Sequence, residues 1–144
     1  MPYKALDVAK YIVERCDIEG KSVSNLKLQK ILYFVQAEFL VVKGEPCFCE
    51  PIEAWDFGVV VPAVYKKYRV FGSTTIPCVI RHVECPFTDE DKRLIDGIID
   101  ECAKYSSADL TKITLNQNPW KEAYSPYCKN VVTNESIKEF FIER

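Results

Sequence analysis

The chain has 144 residues, 48% of them hydrophobic and 28% charged, which suits one globular domain with a real core. Nineteen basic against 21 acidic residues leave a net charge of −2, so there is no general basic field for nucleic acid and no polybasic membrane anchor. Apolar runs fall short of the ~20 residues that span a bilayer, and charges stand where a signal peptide needs an apolar core, so a cytoplasmic protein is expected.

In chain order, residues 4–16 read as a helix with Ala5, Val8, Ala9, Ile12, Val13 and Cys16 on one face. A polar turn around Gly20 leads into the longest predicted helix. Ser24 suits its N-cap and Gly44 its C-terminal cap, with no Gly or Pro between. Leu28, Ile31, Leu32, Val35, Phe39 and Val42 form one apolar arc, and Leu26, Tyr33, Ala37 and Leu40 a second. A helix with two apolar faces needs neighbours on both, so it is expected at the centre of the domain. Gln29 and Gln36 share an edge between the arcs. Polar groups there must be paired or point into a cleft.

Residues 44–58 lose the helical period. Cys47–Glu50 and Ile52–Phe57 are expected as two short strands, with the prolines confining them to edge or irregular positions. Pro62 suits the first turn of a helix carrying Val64, Tyr65, Tyr68 and Phe71, closed near Gly72. A β-prone run follows at 78–83. Thr88 caps the next helix, whose stripe is Leu94, Ile95, Ile98, Ile99 and Cys102. Ser106 and Asp109 predict a capped short helix over 107–113, Asn118 and Pro119 another, and Thr133 a last helix with Ile137, Phe140 and Phe141 inward. The fold class is therefore mainly α, a single compact domain over residues 1–144 with a small two- or three-stranded antiparallel β element.

Four chemistries compete with plain packing as readings of these residues. Seven cysteines, an odd number, in a chain read as cytoplasmic are expected as reduced thiols. Cys47, Cys49, Cys78, Cys85 and His82 lack zinc-ribbon spacing, so no metal or cofactor is expected. His82 is the single histidine, there is no Gly-x-Ser-x-Gly elbow or phosphate loop, and a carboxylate pair, for example Glu53 with Asp56, is conceivable. No catalytic residue is assigned, and an uncharacterised hydrolase is the third-placed reading. Lys66, Lys67 and Arg69 form a basic run, which usually is a solvated helix face; DNA binding by this chain alone is the second reading, as a regulator. Trp55, Phe57, Tyr65, Trp120 and Tyr124 supply rigid aromatic area of the type favoured at protein interfaces.

The residues also carry a resemblance. Leu28-Gln29-Lys30-Ile31-Leu32-Tyr33-Phe34 is followed by Glu53-Ala54-Trp55, Phe57-Gly58, Pro62, Val64-Tyr65, Asp109-Leu110 and Pro119-Trp120. In this order, over roughly residues 4 to 125, they resemble the Panacea domain of SocA-like antitoxins of toxin–antitoxin systems. Val59 stands where the family usually has proline, and Leu115 where it has histidine, so no role of that histidine carries over. The resemblance implies a prophage-associated antitoxin that neutralises a cognate toxin by binding it, with no membrane partner; it leaves the oligomeric state open. It points to Gln29, Lys30, Tyr33, Glu53, Trp55, Tyr65, Asp109 and Trp120 as partner-binding. The expected arrangement is a groove floored by Tyr33 and Ala37 and rimmed by Trp55 and Tyr65, with the polar residues at its edge. The alternative is internal pairing, such as Lys30 with Glu53.

Overall fold

The computed structural model describes residues 2–78 and 85–143. The elements in order are α1 (Ala5–Ile18), α2 (Asn25–Val42), β1 (Ile52–Trp55), β2 (Gly58–Val60), α3 (Pro62–Tyr68), a 3-10 turn (Arg69–Phe71), α4 (Asp89–Cys102), α5 (Ser107–Leu115), α6 (Asn118–Ala123), β3 (Val131–Val132) and α7 (Asn134–Ile142). The fold is mainly helical with one small antiparallel sheet in the order β2-β1-β3.

Local chemistry accounts for the helix starts. The hydroxyls of Ser24, Thr88, Ser106 and Thr133 accept from Lys27 N, Asp91 N, Asp109 N and Ser136 N, each filling an orphan donor of a first turn. Pro62 opens α3, where its missing N–H costs no bond. Gly44 follows the end of α2 at φ +73°, a left-handed cap that any side chain would strain.

Helix α2 is central: it packs against α1, α3, α4, α5, α7 and β2. Both of its apolar arcs are buried over most of their length, with Leu28, Leu32, Tyr33 and Val35 fully enclosed. Val42 departs from the expected arc: it lies at the last residue of the helix and is exposed. The stripe of α4 buries Ile95, Ile99 and Cys102, while Leu94 and Ile98 stay half-buried at its flanks. A polar knot ties three elements together. Asp91 of α4 accepts from Tyr3 and from Lys43 Nζ (2.7 Å), joining the N-terminal segment and the end of α2 to α4.

One strand expectation is corrected. Ile52–Trp55 is a strand, but its hairpin partner is Gly58–Val60, not Cys47–Glu50. The amides of Cys47 and Phe48 are taken by the Gln36 side chain, and Cys47 O accepts from Tyr3 N, so the stretch is left with a single isolated parallel bridge between Phe48 and Tyr3. The sheet's third strand is β3, which pairs Val132 with Ile52 and Val131 with Glu53. The β-prone run at 78–83 lies outside the described residues after Cys78.

Candidate functional site

The polar residues of α2 form an internal ladder. Gln29 Oε1 accepts from Val61 N (2.9 Å), and its amide donates to Asn25 Oδ1 (2.8 Å). Asn25 in turn donates to Tyr65 O. Gln36 Oε1 accepts from Cys47 N (2.8 Å) and Phe48 N (3.2 Å), while its amide donates to Phe48 O (2.9 Å). Tyr33 donates its hydroxyl to Gln117 Oε1 (2.7 Å). All of these side chains are buried, so the helix edge between the two arcs is paid for by hydrogen bonds rather than by water.

Lys30 is the exception in kind. It is fully buried, yet its Nζ has one protein acceptor, Val59 O at 3.2 Å. Among the described residues no carboxylate meets it; Glu53, the expected partner, instead accepts from Trp55 Nε1 (2.9 Å). The Phe57 ring covers the ammonium at 5.4 Å, a cation–π contact. Burial lowers the Lys30 pKa from the ordinary lysine value to about 7, because a charge in this surrounding loses its hydration.

The sign of the consequence follows directly. Between about pH 7 and the ordinary lysine pKa the unfolded chain holds a proton that the folded chain does not, so stability rises with pH there. The penalty is absent above that range and complete as pH falls through about 7. Burial also pushes the thiols of Cys16, Cys47 and Cys102 up, and they oppose the trend once unfolded thiols ionise near ~8.5. We expect the unfolding free energy of wild type, measured against Lys30→Met by urea titration, to gain up to about 1.4 kcal/mol per pH unit from roughly pH 7 to 8.5. A difference that stays flat across that window would show that Lys30 keeps an ordinary pKa.

Above Phe57 the hairpin and two later segments build an aromatic face. Trp55 meets Phe57 (5.6 Å) and Tyr65 (5.1 Å) edge-to-face. Trp120 stacks on Tyr124 at 4.4 Å, and its Nε1 donates to Trp55 O (2.8 Å). The Tyr124 hydroxyl donates to Asp56, and Lys129 Nζ stands 4.8 Å over the Trp55 ring. An open cleft of about 370 Å³ runs between the hairpin tip and the 124–129 loop. At its edge Tyr127 is fully exposed, with φ +64°, a left-handed conformation unusual for a bulky residue.

The eight residues singled out from the sequence thus divide. Glu53, Trp55, Tyr65 and Trp120 come together at this face. Gln29, Lys30 and Tyr33 lie in the interior, and the groove expected over Tyr33 and Ala37 is not there. Ala37 is buried, and the Tyr33 ring is closed off by Phe34 and Phe141. The physical reason is α7, which lays Phe141 on that arc. Asp109 is exposed in the first turn of α5, where its amide serves the Ser106 cap. Lys129 and Tyr127 were not singled out; they sit in an aperiodic loop after Pro126, and an aromatic residue beside proline was the one signal available.

No group of three His, Cys, Asp or Glu able to hold a metal occurs among the described residues, and His82 lies outside them. Both members of the carboxylate pair considered, Glu53 and Asp56, are occupied by aromatic donors. No helix among the described residues is long and apolar enough to cross a membrane. Lys66, Lys67 and Arg69 are exposed.

The fold and its face define a mainly helical domain with an aromatic surface cleft over a hydrogen-bonded central helix. The chain belongs to the antitoxin SocA-like, Panacea domain family, whose model matches residues 28–121. It is similar to Antitoxin SocA of Caulobacter vibrioides (strain NA1000 / CB15N), 42% identical over 65 residues. That match covers 45% of this chain and 35% of the relative, about a third of the relative's length. No solved structure matches.

Proposed function

We propose that this protein is an antitoxin that neutralises a cognate toxin by direct binding at the aromatic face. One observation carries this reading. Trp55, Phe57 and Tyr124 line an open cleft, and Tyr65 and Trp120 pack against Trp55 and Tyr124, so aromatic residues from three separate parts of the chain meet beside it. Rigid aromatic area, pre-positioned by hydrogen bonds from Trp55 to Glu53, from Tyr124 to Asp56 and from Trp120 to Trp55 O, binds at low entropic cost and is enriched at interface hot spots. Family membership supplies the kind of partner. In this reading Trp55 meets the partner from the cleft lining, and Glu53, Tyr65 and Trp120, which touch Trp55 from outside the lining, hold it in place. Gln29, Lys30 and Tyr33 act from below by holding the hairpin and α6 in place, and exposed Asp109 lies outside the cleft lining.

The test uses the product of the adjacent reading frame, co-expressed with this protein and scored by growth rescue and pull-down. Trp55 is half-buried, so Trp55→Ala is expected to lower stability by only about 1–2 kcal/mol. It is expected to weaken binding by at least ~2 kcal/mol, about thirtyfold, and to abolish rescue. Rescue equal to wild type at equal expression would move the interface elsewhere on the molecule.

A further inference from the structure

The sheet β2-β1-β3 has two edges, and α2 closes only one of them. On the β2 side Val59 O accepts from Lys30 Nζ (3.2 Å) and Val61 N donates to Gln29 Oε1 (2.9 Å), and every residue of β2 is buried. The β3 side is different. Ala54 N donates to Asn130 O (2.9 Å), so the next pair along, Glu53 with Val131, is one of the antiparallel pairs that exchange no hydrogen bond. The Val131 N–H and C=O therefore point out of the sheet, and neither has a partner among the described residues. Lys129, Asn130 and Val131 are all exposed. Two devices that blunt an open edge are missing here. Residues 129–133 contain no proline, and the Lys129 ammonium lies back over the Trp55 ring (4.8 Å) instead of standing off the edge. The Val131 side chain is 51% exposed. It stands opposite Glu53, and so on the same face of the sheet as Trp55.

We propose that β3 takes a fourth strand: an extended segment of the partner protein pairs with the Val131 edge through main-chain hydrogen bonds and lays an apolar side chain beside Val131 on the Trp55 face. This rests on the reading that the partner binds at the aromatic face, and it names how the partner's chain is seated there. One residue offering a free donor and a free acceptor in one direction is matched by the C=O and N–H of one residue on a neighbouring strand. A phosphate backbone brings acceptors alone and would leave the Val131 carbonyl unserved. A second copy of this chain fits poorly. About a two-fold axis the edge gives the single bonded pair of Val131 with its counterpart, because two residues on, the Thr133 carbonyl is already taken by Ser136 and Ile137. A partner segment is not bound by that symmetry. It can run on past Lys129 toward the cleft that Trp55, Tyr127 and Lys129 line.

The experiment compares Val131→Pro, Val131→Thr and Trp55→Ala in the complex with the adjacent-frame product, and follows amide hydrogen exchange of the wild type free and bound. Proline removes an N–H that makes no bond in the free protein, at an edge position where proline is tolerated, so Val131→Pro is expected to melt close to wild type. It is expected to weaken binding by about tenfold or more, because the partner's carbonyl is left stranded, whereas Val131→Thr keeps the N–H and stays within about threefold. The Val131 amide is expected to exchange at least about tenfold more slowly in the complex, with the Ala54 amide, already bonded to Asn130 O, as the internal reference. This exchange measurement decides the matter should the proline variant fail to fold. If Trp55→Ala destroys binding while the Val131 amide exchanges as fast in the complex as in the free protein, the added strand is wrong and the aromatic interface stands. If Trp55→Ala binds like wild type, the interface itself is wrong and this inference goes with it. Slowing of the Val131 amide with protein concentration alone, without the partner, would overturn it in favour of a second copy.

Discussion

Gly58→Ala is expected to lower the stability of the domain by about 2–6 kcal/mol, enough to leave little folded protein at physiological temperature. Two costs add. Gly58 has φ +107°, where L side chains are strained whatever the space. A Cβ there would also stand 2.8 Å from Thr114 Oγ1 and 3.1 Å from Lys30 Cε. Neither neighbour yields easily: Thr114 is buried with its hydroxyl bonded to Thr111 O, and Lys30 is buried and tied to Val59 O. A calorimetric melt checks the size. The double variant with Thr114→Ala separates the costs, because it removes the closest atom and leaves the backbone strain. A single variant melting within about 2 °C of wild type would mean that the hairpin shifts without loss, and that the floor of the aromatic face is not rigid.

Gln36→Leu has an expected effect of comparable size, about 3–6 kcal/mol. Leucine fills a comparable space, so the loss is one of hydrogen bonds. Two amides, Cys47 N and Phe48 N, and one carbonyl, Phe48 O, lose their partner, and both residues are buried. Each stranded group costs about 1–3 kcal/mol. The expected melting shift is roughly 10–20 °C downward, with faster hydrogen exchange at the Cys47 and Phe48 amides. Exchange as slow as in wild type would show that those amides have another acceptor.

What was legible in the chain was mostly local. The four hydroxyl caps at Ser24, Thr88, Ser106 and Thr133 each act within three residues, and Pro62 and Gly44 act on their own backbone. What was not legible was long-range. The two residues of β3 carry no period, and their partner β1 lies far upstream. Cys47–Glu50 has strand-like composition, but a glutamine on α2 had already claimed its amides. The two glutamines were correctly marked as needing a partner or a cleft; their partners are main-chain atoms of distant loops, which no spacing announces. The site was half legible for the same reason. The aromatic residues could be named from type and motif, whereas the covering of Tyr33 depends on where α7 lands.

The central helix takes hold of its surroundings mainly through main-chain atoms: Gln29 through the Val61 amide, Lys30 through the Val59 carbonyl, Gln36 through Cys47 and Phe48. Such a grip registers where a segment runs and is blind to which residues it carries, proline's missing amide aside. The outward side chains of the hairpin can therefore be exchanged wholesale while α2 keeps the same hold on the strands beneath them. An arrangement of that kind separates inheritance of the frame from inheritance of the surface, and lets a lineage change what it recognises without first having to refold.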